Sequence, residues 1–194
     1  NMMKGLKLGL LCFFLIQIQG CSILRTMADA KTVPPETGKL IVVGKFELNP
    51  PLPLMENADK RRSKSIGMSR YLNKVFFSAT PKLAEKIDET MRSSQWDNTL
   101  NATWDETYFK ETAARKTYLN AGMFYVDEVS LGQAWLPAGM YFSPPANAKA
   151  IYIGTVRYTR DDFMNITKIQ VIDEYKEAKA EFENSFGKSV SLHK

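Results

Sequence analysis

The sequence predicts a mainly β protein: an antiparallel β-sandwich with two peripheral helices. Six or more short runs of β-branched and aromatic residues follow one another at close spacing. Few helical patterns separate them, and there is no strand–helix–strand alternation of the kind that builds parallel sheets. The chain has 194 residues, 44% of them hydrophobic and 24% charged, so one domain can bury a core.

The first two strands are predicted at 39–47 and 71–79. The run KLIVVGKFE at 39–47 is apolar and β-branched. The proline-rich stretch 49–53 ends this strand, because proline has no N–H to donate to a sheet ladder. The polar, basic segment 56–70 then leads to the second strand.

The first helix is predicted over about 81–94. Thr80 is a favourable N-cap, and Pro81 suits the first helical position, where its missing N–H has no intrahelical partner. Leu83, Ile87 and Met91 recur at four-residue spacing and form one apolar stripe.

The middle and second half of the chain are predicted to be β-rich. Two strands are expected around the polar segment 111–114, although a short helix through 112–116 also fits the pattern. Apolar residues on both faces of 151–156 indicate a central strand, and the turn at 159–162 indicates a hairpin with the strand that follows. The predicted strands are 105–110, 115–119, 122–129, 139–143, 149–158 and 165–172.

The second helix is predicted at 174–186. Asp173 precedes it as a cap, and Tyr175, Ala178, Phe182 and Phe186 lie along one helical face. Gly187 suits the left-handed position that often follows a helix.

The N-terminal residues have the layout of a secretory signal. Lys4 and Lys7 precede an apolar run over 8–18, which is shorter than the roughly 20 residues that span a bilayer. Gly20 and Cys21 follow the run. The predicted organisation is a signal at 1–20, a lipidated N-terminus and tether at 21–38, one sandwich domain at 39–187 and a tail at 188–194.

Ile18, Gln19, Gly20 and Cys21 resemble the lipobox of bacterial lipoproteins. The resemblance implies cleavage before Cys21 and a covalent diacylglycerol and N-acyl lipid on it, with no other cofactor. An ordinary secretory signal with an incidental Cys21 is the alternative. Ser22 in place of Asp implies the outer membrane, with the domain facing the periplasm or the cell surface. Cleavage removes Lys4, Lys7 and Cys12, which lowers the formal charge from +5 to +3 and leaves Cys21 as the single cysteine.

Two further resemblances concern the domain. Pro137, Gly139 and Tyr141 resemble a turn that enters a strand in prealbumin-like and carboxypeptidase-regulatory-like sandwiches. Residues 150–186, with IYIGTVRYTRDDF and VIDEY, resemble small uncharacterised lipoproteins of Gram-negative bacteria. That resemblance implies no activity.

Arg157, Arg160, Asp161 and Asp162 form a candidate polar site at the predicted hairpin. The two carboxylates are candidates for a base or a metal ligand, but an ordinary turn explains the same residues without a cleft. The spaced acidic loop of a calcium site is missing from the sequence, so no metal is predicted. With one His and two Cys, the composition argues against Ser-His and Cys-His catalysis.

A basic cluster within 56–70 is a candidate contact for an anionic surface such as lipid headgroups. A solvated loop is the competing interpretation, and an exported protein is not expected to bind nucleic acid. The cluster consists of Lys60, Arg61, Arg62, Lys64 and Arg70.

Trp96, Trp104 and Trp135 either fill the ends of the sandwich or stack on sugars. The leading hypothesis is a membrane-anchored envelope protein that acts as a structural or binding module for a protein, lipid headgroup or glycan partner. The alternatives are an envelope hydrolase or glycan-modifying enzyme that uses Asp/Glu carboxylates, and a lipoprotein that binds a small ligand between its sheets.

Overall fold

The structure is a computed structural model that describes residues 26–52, 73–84, 98–126 and 132–194. Ten strands and one helix occur in these residues, and this helix is not long and apolar enough to cross a membrane. In chain order they are β1 (Ala28–Asp29), β2 (Lys39–Asn49), β3 (Lys74–Thr80), β4 (Thr99–Thr103), β5 (Thr107–Ala113), β6 (Thr117–Tyr125), β7 (Gln133–Phe142), β8 (Ala150–Arg160), β9 (Ile166–Ile172), α1 (Tyr175–Phe186) and β10 (Leu192–His193).

The strands form two sheets that pack face to face, which confirms the predicted mainly β sandwich. The six-stranded sheet has the order β1-β5-β2-β8-β10, with β9 also paired to β8. The four-stranded sheet has the order β4-β3-β6-β7. Large apolar side chains from both sheets, such as Phe46 and Phe77 with ring centroids 4.4 Å apart, form the core between them.

Two strand pairs in the six-stranded sheet are parallel, a feature that the sequence did not predict. β8 runs parallel to β2 over most of its length and parallel to β10 at its start. Parallel neighbours need a crossover connection, and α1 supplies one between β8 and β10. The predicted hairpin is confirmed, because β8 and β9 pair in antiparallel fashion.

β2 is apolar on both faces because both are covered. Leu40 and Val42 face the core between the sheets, whereas Ile41 and Val43 contact the cluster beneath α1. The central position predicted for 151–156 is also confirmed, since β8 has three strand neighbours.

Helix α1 confirms the prediction at 174–186. Ala178 and Phe182 are buried against the outer face of the six-stranded sheet. The N-cap residue is Glu174 and not the predicted Asp173, although the Tyr175 backbone N–H donates to Oδ1 of Asp173 at 3.2 Å. Gly187 ends the helix with a φ of 78°, in the left-handed region that favours glycine.

The helix predicted over 81–94 does not begin where the sequence indicated. Residues 81–84 are not helical, and 85–94 lie outside the described residues. The backbone N–H of Ala84 donates to Oδ1 of the buried Asn120 at 3.1 Å, and Nδ2 of Asn120 donates to the Lys82 carbonyl at 3.0 Å. Two hydrogen bonds with the Asn120 side chain, which is distant in sequence, therefore take the place of the first helical turn. Local helix propensity gives no indication of such bonds.

The folded sandwich extends beyond the predicted limits of 39 and 187. Residues of the predicted tether join both sheets: the Met27 N–H donates to the Thr99 carbonyl of β4 at 2.9 Å, while Ala28 pairs with Glu111 of β5. Met27 is buried in the core. At the other terminus Leu192 pairs with Ala150 in β8, so part of the predicted tail is a strand.

Four strands in the middle of the chain also differ from the prediction. β6 crosses the break expected between 119 and 122 because it pairs with both β3 and β7. β5 continues through the polar segment 111–113 because these residues pair with β2. β4 was not predicted. Pro137 lies within β7 instead of a turn before a strand; β7 is an edge strand with a register shift nearby, where a missing N–H is tolerated.

Candidate binding site

The sandwich has two ends, which we call proximal and distal. At the proximal end the chain enters at Thr26, β5 turns into β6 over 114–116, and β7 leads to β8 over 143–149. At the distal end β4 turns into β5 over 104–106 and β8 turns into β9 over 161–165. The pairing of Thr117 with Phe142 and of Lys39 with Ala113 places the proximal links together.

A pocket of about 560 Å³ lies at the distal end. One wall is the start of β7 and the other is the β8–β9 turn, so the pocket opens between the edges of the two sheets. Its lining residues are Val126, Gln133, Ala134, Trp135, Pro137, Phe163, Met164, Asn165 and Ile166.

The pocket opens at this edge because the six-stranded sheet is the wider one. Ile169 and Val171 are paired with Tyr158 and Val156 of β8, both buried on the core side. Yet Ile169 is 43% exposed and Val171 is 70% exposed. The four-stranded sheet therefore does not cover β9, and the core-facing side of β9 remains accessible beside the pocket.

Asp161 organises the turn that forms one wall. Its Oδ1 accepts the backbone N–H groups of Phe163 at 2.8 Å and Asn165 at 2.9 Å, and its Oδ2 accepts Nδ2 of Asn165 at 2.9 Å. The hydrogen bonds from Asn165 lower the pKa of the Asp161 carboxyl. The turn holds Phe163 with 85% of its surface exposed.

Arg160 fixes the base of the same turn. Its guanidinium donates to the carbonyls of Pro50 and Pro51, each at 2.9 Å, and to the Asp161 carbonyl at 3.1 Å. This buried side chain ties the end of β8 to the segment that follows β2.

The four residues of the predicted polar site do not converge on a common cleft. Arg160 and Asp161 build the turn, and Asp162 is exposed within it. Arg157 pairs with Glu47 on the outer face of the six-stranded sheet at 2.6 Å. The geometry agrees with the turn interpretation of Arg160 and Asp161, since their bonds go to backbone groups of the turn and its base.

The pocket lining is uncharged. It combines the Trp135 and Phe163 rings and aliphatic side chains with the amides of Gln133 and Asn165. Its volume lies within the range of about 300–1,000 Å³ that is typical of ligand sites, while its surface is at least as polar as it is apolar and is open to solvent. The Tyr158 hydroxyl supports β7 from the core by donating to the Pro137 carbonyl at 2.9 Å; burial raises the pKa of Tyr158, so it remains a donor.

A second polar feature, which we call the ion-pair cluster, lies on the outer face of the six-stranded sheet. It consists of Lys45, Glu47, Arg157 and Glu174. Nζ of Lys45 lies 2.6 Å from Glu174 and 3.1 Å from Glu47, and Arg157 pairs with Glu47. Two cations and two carboxylates therefore balance one another where the sheet meets the start of α1.

A β-bulge aims two hydroxyls at this cluster. The register between β2 and β8 shifts between Val43 and Lys45, where β8 contains one extra residue around Gly154, whose φ is 103°. Tyr152 and Thr155 consequently lie on the same face. Oγ1 of Thr155 donates to Glu174 at 2.7 Å, and the Glu174 N–H donates to the Tyr152 hydroxyl at 2.9 Å.

The electrostatics of the cluster indicate a structural contact. Burial alone would lower the pKa of Lys45, but its hydrogen bonds to Glu174 and Glu47 outweigh burial and raise it. The same bond from Lys45, followed by that from Thr155, lowers the pKa of Glu174. Both charged forms are therefore stabilised by the fold, and the cluster holds the start of α1 on the sheet.

Several predicted residues fall outside the described part of the chain. These are the lipobox Ile18, Gln19, Gly20 and Cys21, the basic cluster Lys60, Arg61, Arg62, Lys64 and Arg70, and Trp96. Of the other tryptophans, Trp104 is buried in the core, whereas Trp135 is 37% exposed at the pocket. Within the described residues, no three His, Cys, Asp or Glu side chains converge as metal ligands.

Most of the pocket could not be found from sequence. Trp135 was named as a possible sugar-stacking residue, and Phe163 offered a further signal that was not used: a large aromatic residue directly after Asp161 and Asp162 in a predicted turn. Lys45, Glu47 and Glu174 carried no recognisable spacing, because they come from β2 and from the segment before α1.

Comparison of this chain with protein-family models, curated proteins and solved structures finds no match. The sequence features and the geometry of the sandwich are therefore the basis for inferring its function.

Proposed function

We propose that this chain is a lipoprotein of the Gram-negative outer membrane, held by lipid on Cys21, whose sandwich is a non-enzymatic binding module for a neutral envelope glycan. One observation carries the proposal. The uncharged pocket with Trp135 and Phe163 lies at the end of the sandwich opposite to the point where the chain leads back to Cys21.

This arrangement suits a module that binds away from its anchor. Cys21 precedes Thr26 by five residues, which span at most about 17 Å when extended. β8 has 11 residues, which corresponds to about 36 Å from one end of the strand to the other. A membrane anchor on Cys21 would therefore keep the proximal end near the lipid and present the pocket to the envelope space.

The pocket chemistry favours a sugar. Flat aromatic rings stack on the apolar faces of sugar rings, while amides hydrogen-bond to hydroxyls. Trp135 and Phe163 supply rings, and Gln133 supplies an amide from β7. An uncharged lining also avoids the cost of burying an unpaired charge against a neutral ligand.

Titration with N-acetylglucosamine oligomers, followed by calorimetry, tests the ligand. We expect saturable binding, and we expect Phe163→Ala to weaken it roughly tenfold or more, as loss of a central aromatic contact does at other interfaces. Phe163 is 85% exposed, so its removal should leave the fold intact.

Tyr141→Ala is the matched control. Tyr141 is also an exposed aromatic residue, at 61%, but it lies near the proximal end of β7. Equal losses in both variants, or no binding of the oligomers to the unaltered protein, would reject the glycan as ligand.

Membrane fractionation with acyl labelling tests the anchor separately. We expect Cys21→Ser to abolish acylation and to leave an unprocessed precursor or a chain released from membranes, as a stable anchor requires its acyl chains. Cys12→Ser is the control, because Cys12 belongs to the predicted signal. Unchanged acylation in Cys21→Ser would refute the lipoprotein assignment.

A further inference from the structure

The proximal end of the sandwich is rich in exposed cations. Five exposed basic residues and the half-buried Lys149 lie in the links at this end or directly beside them. They come from four different connections and the first residue of β2, so only the fold brings them together. The six residues are Lys39, Lys82, Arg115, Lys116, Lys149 and Lys188.

Few carboxylates offset this charge. In the link 30–38, Lys31 and Glu36 cancel, and Glu36 is the sole carboxylate in the described proximal links, while Glu183 lies directly beside them in the last turn of α1. The segment 85–97, whose flanking residues Ala84 and Asn98 lie at this end, contains four carboxylates and two basic residues. The summed charge of the described proximal residues therefore remains positive when the composition of that segment is added.

The described distal links have the opposite character. They contain four acidic residues. The two cations there are engaged, since Lys74 donates to Thr103 at 2.6 Å and Arg160 binds backbone carbonyls. The four acidic residues are Asp105, Glu106, Asp161 and Asp162.

Aromatic side chains accompany the proximal cations. Nζ of Lys116 lies over the rings of Tyr118 and Tyr141, at 5.0 and 4.4 Å from their centroids. Tyr141 is 61% exposed. Tyrosine beside lysine is suited to a boundary between apolar and aqueous phases, because the ring is apolar and the hydroxyl is polar.

We propose that the proximal end docks on the anionic phospholipid headgroups of the membrane that holds Cys21. The inference rests on the proposed lipid anchor, which brings Thr26 within about 17 Å of the acylated residue. Thr26, where the chain enters the proximal end, therefore lies within about two screening lengths of the headgroups, and attraction increases as the cations of that end come closer to the lipid. Docking fixes the orientation of the sandwich and directs the pocket away from the lipid.

The experiment uses the mature lipidated protein in vesicles of phosphatidylcholine, with and without about one third phosphatidylglycerol, a fraction in the range of anionic membranes. A single thiol is introduced at the proximal end by Ala146→Cys or at the distal end by Asp162→Cys. Both positions are exposed, and in the acylated mature chain Cys21 has no free thiol. The rate of reaction with a membrane-impermeant maleimide reports how closely each end approaches the lipid.

We expect phosphatidylglycerol to slow the reaction at position 146 roughly fivefold or more. A factor of this size is the attraction expected from one basic residue at an anionic surface. The rate at position 162 should not change. High salt should remove the difference. The triple variant Lys39→Glu, Arg115→Glu, Lys188→Glu should remove it as well.

The matched control reverses Lys60, Arg61 and Arg62 to Glu, in the segment whose flanking residues Leu52 and Asn73 lie at the distal end. If this control, and not the proximal variant, abolishes the lipid dependence, the docking proposal is wrong. Equal rates in both kinds of vesicle for an acylated, vesicle-bound protein would overturn it too, with the anchor intact. A chain that carries no acyl group would instead refute the proposed function.

Discussion

Glu174 should contribute measurably to stability, because it connects the sheet to the start of α1. Its Oε2 accepts from Nζ of Lys45 at 2.6 Å and from Oγ1 of Thr155 at 2.7 Å. The side chain is 28% exposed, so solvent screens the pair only in part. We expect Glu174→Gln to lower the free energy of unfolding by about 1–2 kcal/mol, since an amide keeps the Thr155 bond but loses the charge.

Thermal unfolding followed by circular dichroism measures this effect. A loss of about 1–2 kcal/mol corresponds to roughly 2–8 °C in Tm for a domain of this size. Glu181→Gln is the control, because Glu181 is exposed on the same helix, and we expect it to change the free energy by less than about 0.5 kcal/mol.

The dependence on pH provides the sharper test. The fold lowers the pKa of Glu174 below its ordinary value of 4.5, so its contribution is complete above that value and disappears as the pH falls through the lowered folded pKa. The Tm difference between the unaltered protein and Glu174→Gln should therefore be largest at pH 7 and should decrease as the pH falls below 4.5. A Tm difference that persists in strong acid, or one no larger than that of Glu181→Gln at pH 7, would refute the role of the ion pair.

Three further substitutions test the packing, each by urea unfolding. Gly44→Ala should destabilise the fold by about 1–3 kcal/mol, because the added Cβ would be too close to the buried Tyr108 hydroxyl and to the Gly154 carbonyl. Unchanged stability would show that the packing around Gly44 is loose. Phe182→Ala should cost about 3–5 kcal/mol, since the ring is fully buried under α1, and a cost below about 1 kcal/mol would mean that α1 adds little. Arg160→Met should cost about 2–3 kcal/mol through its lost bonds to the carbonyls of Pro50 and Pro51; unchanged stability would contradict the role given to this side chain.

Local patterns were sufficient for the elements whose partners are close in sequence. Turn residues predicted the β8–β9 hairpin, and apolar residues spaced three and four apart on one face predicted α1. β2 was also found, because a strand covered on both faces is a continuous apolar run.

Elements defined by distant partners were missed or misplaced. β1 has two residues, and its pairing with β5 depends on residues 81 positions away, such as Lys110 with Asp29. The parallel pairing of β2 with β8 joins segments more than 100 positions apart, as does the bond between Arg157 and Glu47. No short window of sequence contains both partners of such contacts.

The candidate pocket is also formed by segments that are distant from one another in sequence. The β8–β9 turn could be predicted as a turn, and Trp135 was recognised as a tryptophan near a loop. Their juxtaposition required the packing of the two sheets, because β7 and β9 belong to different sheets and meet only at the distal edge.

Phe163 is the residue that folding explains least. Asp161 and Asn165 provide the hydrogen bonds of the turn, so a small polar residue would serve equally well between them. An aromatic side chain left in water forgoes the roughly 1.5–3 kcal/mol that burial would provide, and Phe163 is 85% exposed. The ring gains nothing from the core, yet it lies against the pocket that contains Trp135. Its identity is accounted for if a ligand covers it, and this is why Phe163→Ala discriminates best between a binding role for the distal end and a purely structural one.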